Sequence, residues 1–66
     1  MIKVGIIGFG VVGQRRKKYI LKNKFFDLIC ISDISFKKNY TAKNVNFYKD
    51  YEKFLSHNLD AVFITL

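Results

Sequence analysis

A chain of 66 residues makes one small domain, and a domain of about 60 residues buries only roughly 60% of its unfolded surface, so whatever core it builds is marginal. Half the residues are apolar and 17% aromatic, which excludes a disordered tail, and the lone Cys30 excludes an intrachain disulfide. The net charge of +7 raises a nucleic-acid or anionic-membrane reading, but the longest apolar stretch, Val4 to Gly13, is too short to span a bilayer.

The chain opens with an apolar strand, Ile2 to Ile7, which runs into Gly8-Phe9-Gly10-Val11-Val12-Gly13, a G-x-G-x-x-G turn. Each glycine has its own task. Gly8 permits the tight turn off the strand, Gly10 lets backbone approach a pyrophosphate, and Gly13 lets the following helix pack closely on the strand. That helix, Val11 to about Asn23, aims free N–H groups and the positive end of its dipole at the phosphates. The segment supplies Val12, Gly13, Arg16, Tyr19, Ile20 and Leu21, the apolar members at roughly helical spacing with polar residues between. The run Arg15-Arg16-Lys17-Lys18 reads first as a solvated face, ahead of a polyanion site or a phosphate-assisting cation.

Asn23-Lys24 ends the helix, and Phe25, Phe26, Leu28, Ile29, Cys30 and Ile31 form a nearly continuous apolar run, as in a central parallel strand buried on both faces. Cys30 reads as a small core residue. Asp33 closes this strand twenty residues after Gly13, which places an acid where a dinucleotide ribose is held. Strand, turn, helix and strand make a βαβ unit with a right-handed crossover.

From Ile34 to Asn44 the pattern admits at most one short helix or an irregular crossover. Val45-Asn46-Phe47-Tyr48 alternates as a short strand does. Asp50 to Ser56 reads as a helix capped by the Asp50 side chain, with Tyr51, Phe54 and Leu55 on one apolar face. His57 falls at that helix end, where an imidazole can bond the last free carbonyls, a solvated role preferred to a catalytic one. Asp60 to Leu66 reads as a last, continuous apolar strand. No zinc-ligand cluster, nucleophile elbow or Walker loop is present in the pattern, and no small-x-small cleavage site follows the first apolar stretch, so a cytoplasmic location is expected.

Ile2 to Gly13, Leu28 to Asp33, Tyr48 to Leu55 and Asn58 to Thr65 together resemble the N-terminal region of the Gfo/Idh/MocA oxidoreductases, NAD(P)-dependent enzymes that act on sugars and related alcohols. The glycine block is shared with many Rossmann proteins. The succession of a strand, an Asp-Tyr-Glu helix and an Asp-Ala-Val strand is more particular to this family. Arg16 stands where the family commonly has a histidine, and Ile34 to Asn44 is short for its second crossover helix. The resemblance implies cofactor contacts at Gly8, Phe9, Gly10, Val11, Val12, Gly13 and Asp33, with Ile34 beside the adenine and Ile64 and Thr65 where the fourth strand meets the crevice. It implies no catalytic residue in this chain, because the family's Glu-Lys-Pro lysine and its substrate domain lie further along.

The expected architecture is therefore α/β: residues 1–66 as the first part of a Rossmann-like parallel sheet, about four strands in the order 3-2-1-4, with two or three helices. NAD is expected over NADP because the Asp33 carboxylate accepts both ribose hydroxyls and repels a 2′-phosphate, Lys37 and Lys38 being the cations that could oppose this. The expected function is the dinucleotide-binding portion of an oxidoreductase, with a sugar-like substrate and oligomerisation belonging to a longer protein. A stand-alone nucleotide-binding or regulatory module is the alternative, and a small basic nucleic-acid-binding protein the third reading. The last strand would be a bare hydrophobic edge, so a fragment of a longer oxidoreductase, or a truncated reading frame descended from one, is expected, with neither turnover nor a cooperative monomeric melt of its own.

Overall fold

The structure is a computed structural model and describes every residue, Met1–Leu66. Its elements in order are β1 (Ile2–Ile7), α1 (Val11–Lys22), β2 (Phe26–Ser32), β3 (Tyr40–Ala42), β4 (Val45–Tyr48), α2 (Tyr51–Leu55) and β5 (Ala61–Ile64). They form one five-stranded sheet in the order β3-β4-β2-β1-β5. The pairs β4·β2, β2·β1 and β1·β5 are parallel, so the expected four-strand order is present as β4-β2-β1-β5.

The addition is β3, which pairs antiparallel with β4 and makes the far edge. No helix forms between Asp33 and Val45. The segment has no helical apolar stripe to bury, whereas Tyr40 can lie over its cross-strand partner Phe47, the rings stacked at 4.6 Å. Two residues, Lys43 (φ 50°) and Asn44 (φ 67°), turn the hairpin in the left-handed region, the geometry of a type I′ turn.

Strand alternation sorts the residues between two faces. Val4 and Ile6 of β1 join Leu28 and Ile31 of β2, Val45 and Phe47 of β4 and Ile20 of α1 in one buried cluster. Leu28 and Ile31 can share that face because the β1·β2 register shifts after Val4, where Gly5 pairs with Cys30 and Ile29 is passed over. From α1, only Gly13 and Ile20 are buried, with Lys17 half-buried between them. Val12, Tyr19 and Leu21 are exposed, so the inward stripe is narrower than the apolar spacing predicts. Phe25 is also exposed and precedes β2.

On the other face α2 buries only Phe54. Its ring lies directly over Gly5, where an added Cβ would come within 2.6 Å of Cζ, so the strand needs a glycine there for the helix to sit down. Tyr51 and Leu55 remain exposed, which leaves the expected apolar face of α2 mostly open. Asp50 occupies the N-cap position in extended conformation, but its side chain makes no capping bond. Instead its carbonyl accepts from the buried Ser32 hydroxyl at 3.1 Å, tying α2 to β2. At the opposite edge, the Lys3 N–H donates to the Asp60 carboxylate at 2.8 Å and the Asp60 N–H to the Lys3 carbonyl at 2.7 Å, which seats the start of β5 against β1. No helix is long and apolar enough to cross a membrane.

Candidate dinucleotide site

The glycine turn sits at the carboxyl ends of the parallel strands. The Gly8 N–H donates to the Ser32 carbonyl at 2.8 Å, joining the end of β1 to the end of β2. Gly8 then adopts φ 91°, a conformation open to glycine, and a Cβ there would stand 2.8 Å from the Thr65 carbonyl oxygen. A Cβ on Gly13 would collide with the Gly8 carbonyl oxygen, so the first turn of α1 lies against the turn it follows. Thr65, the residue after β5, locks this arrangement. Its hydroxyl donates to the Gly8 carbonyl at 2.6 Å, and its N–H donates to the Ile7 carbonyl at 2.8 Å.

Gly10 is the exception among the four glycines. A Cβ there would meet nothing within 4 Å. Gly10 is also the N-cap of α1, has no side chain to cap the helix, and precedes a first turn without acidic residues. The first helical bond runs from the Gln14 N–H to the Gly10 carbonyl at 3.0 Å, so the N–H groups of Val11, Val12 and Gly13 have no partner one turn back. Open space, glycine backbone and unopposed donors converge at this point. The residues present fit a pyrophosphate without a charged side chain.

Asp33 is brought to the turn by β2. Its Oδ2 accepts from the Phe9 N–H at 2.5 Å, and its Oδ1 accepts from the Ser35 N–H at 2.8 Å. These bonds, with Ser35 first and Phe9 second, hold the carboxyl below its ordinary value of 3.8. Asp33 is thus ionised and oriented beside the glycine loop. Ser35 was not legible as a partner from strand patterning, although an acceptor two residues before a free N–H is the signature of an Asx turn. The Phe9 ring points away from Gly10 into a cluster with Phe36 and Phe47, at centroid distances of 5.9 and 6.1 Å, so Phe9 offers the site its backbone. Val11, Val12, Ile34 and Ile64 are all exposed.

The basic run divides. Arg16 lies over the Phe63 ring at 5.7 Å, and Lys17 over Phe47 and Phe9 at 5.5 and 5.8 Å, while Arg15, Lys18 and Lys22 surround Tyr19 on the outer face of α1. Lys37 and Lys38 are exposed beyond Asp33. His57 lies elsewhere, and its role differs from the helix-end bond expected. Its Nε2 shares a hydrogen bond of 2.7 Å with the Tyr48 hydroxyl on the α2 face, where burial, with the nearby Cys30 as a second cause, raises the Tyr48 pKa. Burial also pushes the Cys30 thiol up to about 11, which makes it an inert core residue. No three His, Cys, Asp or Glu side chains gather in metal-binding positions.

Residues 2–66 match the model of the Gfo/Idh/MocA family, described as an oxidoreductase family with an NAD-binding Rossmann fold. The chain belongs to that family. Neither the curated proteins nor the solved structures contained a match. Family membership agrees with the mostly parallel sheet and its order.

Proposed function

We propose that this chain supplies the cofactor-holding portion of an oxidoreductase that moves hydride between NAD and a sugar or polyol-like alcohol. The observation that carries the reading is the open position at Gly10, flanked by the free first-turn N–H groups of α1 and by the oriented Asp33 carboxylate. Within it, the backbone of Gly8 to Gly13 holds the pyrophosphate and Asp33 accepts from the ribose hydroxyls, while Ile34, exposed next to Asp33, offers an apolar surface to the adenine. Thr65 keeps the turn in shape from beneath. Bound at this turn, the nicotinamide cofactor supplies hydride transfer, and the protein's part here is binding and orientation.

Preference for NAD rests on charge. An Asp33 whose pKa is lowered stays anionic at neutral pH and repels a 2′-phosphate. Titration with NADH and NADPH, followed by nicotinamide fluorescence, should give the tighter binding with NADH. Tighter NADPH binding would sink the assignment. Gly10→Val should abolish binding of either cofactor by filling the approach to the pyrophosphate, and unchanged affinity in that variant would remove the site altogether. The sugar or polyol class is tested by turnover of a protein carrying both the cofactor and substrate portions, with reduction of NAD by polyols as the expected signal.

A further inference from the structure

A second concavity lies between α1 and the β3–β4 hairpin, with a volume of about 340 Å³. Its walls are Leu21, Ala42, Val45 and Phe47, and the only charged side chains that line it are Lys17 and Lys43. None of its lining residues belongs to the glycine turn, although Lys17 and Phe47 both reach the Phe9 ring. Leu21 lies in the last turn of α1 and Val45 begins β4, so this end of the cleft is near the amino ends of the parallel strands, whereas Gly8 to Gly13 and Asp33 lie at their carboxyl ends. An apolar wall with a few convergent polar groups is the usual composition of a small-molecule site. Two ammonium groups without a carboxylate beside them specify the charge of what fits.

A second feature singles out Lys43. It opens the hairpin turn at φ 50°, a conformation in which asparagine and glycine are at ease and a long side chain is not. An asparagine follows it at once, yet the lysine occupies the first turn position and lines the cleft. Local turn chemistry does not account for that choice.

We propose that this cleft binds a small amphipathic carboxylate, a free aliphatic acid whose chain lies against Leu21, Ala42, Val45 and Phe47 and whose carboxylate is held between Lys17 and Lys43. Charge-assisted bonds from two ammonium groups give the anion its preference over an uncharged molecule of the same shape. The Lys17 ammonium also stands over the Phe47 ring at 5.5 Å, so the cation and the apolar wall belong to one surface.

The test is a titration of the protein with octanoate and, in parallel, with octan-1-ol, followed by amide chemical shifts. Octanoate should shift Leu21, Ala42, Val45 and Phe47 and bind at least about tenfold tighter than the alcohol, with the same affinity when NADH is saturating. Lys43→Asn should weaken octanoate at least about threefold, leave octanol unchanged, and keep or raise the melting temperature, since asparagine tolerates the left-handed turn. Ala42→Phe, at an exposed strand position, should close the cleft to both molecules. Equal affinity for acid and alcohol overturns the proposal, and so does displacement of octanoate by NADH, which would place the carboxylate at the dinucleotide turn. A lowered melting temperature in Lys43→Asn would show that the lysine serves the hairpin, and would overturn it equally.

Discussion

The two faces of the sheet are covered very differently. On one, α1 runs twelve residues across β1 and β2 and shares a seven-residue apolar cluster with three strands, edged by Phe9, Phe26, Phe36 and Phe63. On the other, α2 has five residues and a single buried side chain, Phe54, seated over Gly5. The first face distributes its packing over many contacts, and the second concentrates it in one ring and one glycine. The glycine turn belongs to the well-covered side, since α1 carries both the packing and the free N–H groups. A short helix is sufficient to join β4 to β5 but shields little of the sheet, and Val62, Ile64 and Leu66 are exposed along the β5 edge.

The largest effect should come from the thinly covered face. Phe54→Ala removes the one buried side chain of α2 and should cost about 3–5 kcal/mol, measured by denaturant unfolding. A loss no greater than that of an exposed substitution such as Leu55→Ala would show that the α2 face contributes little. Gly13→Ala strikes the other face where α1 meets the turn. Its methyl collides with the Gly8 carbonyl oxygen, so a cost of about 1–3 kcal/mol should accompany weakened NADH binding. Gly10→Ala, which meets no protein atom, should leave the unfolding midpoint within error, and this contrast between two glycines three residues apart separates fold from function.

Cys30 gives a kinetic comparison. Its buried thiol, with a pKa pushed up to about 11, should resist iodoacetamide at pH 8 while the urea-unfolded chain reacts readily. Equal rates would mean that the α2 face opens freely. Asp33 carries the smallest effect. Its folded pKa is depressed, so its contribution to stability is present above about 3.8 and is lost as the pH falls through the lower folded value. Because the group is close to solvent, screening keeps the change modest. Asp33→Asn should flatten that acid limb slightly, and an unaltered limb would show that the bonds from Phe9 and Ser35 do not distinguish the folded state.

The parts legible in the sequence were those set by neighbours along the chain. Strand β1, the glycine turn and the start of α1 follow from apolar runs and from glycines at defined offsets, and Asn23 ends the helix as expected. The αL hairpin at Lys43-Asn44 was not legible, because lysine is not a turn residue and Tyr40–Ala42 is too short to show alternation. The Asp50 cap and the helix-end role of His57 both failed for one reason. Each rested on a local side-chain bond that the fold does not make: the Asp50 carboxylate caps nothing, while its backbone carbonyl accepts from Ser32, and the His57 ring bonds Tyr48 rather than a helix-end carbonyl.

By itself the sequence determined that this chain would carry a glycine turn between an apolar strand and a helix, with an acid closing the next strand, because turn geometry and strand burial are written in residues a few positions apart. Only the tertiary structure decided what those residues do to one another. Asp33 meets the Phe9 N–H, 24 positions away, and Thr65 reaches the Gly8 carbonyl across 57. Contacts of that span depend on the register of strands lying side by side; the neighbour order was expected from the family resemblance, but parallel pairing through crossovers leaves no periodic trace of the register in the chain.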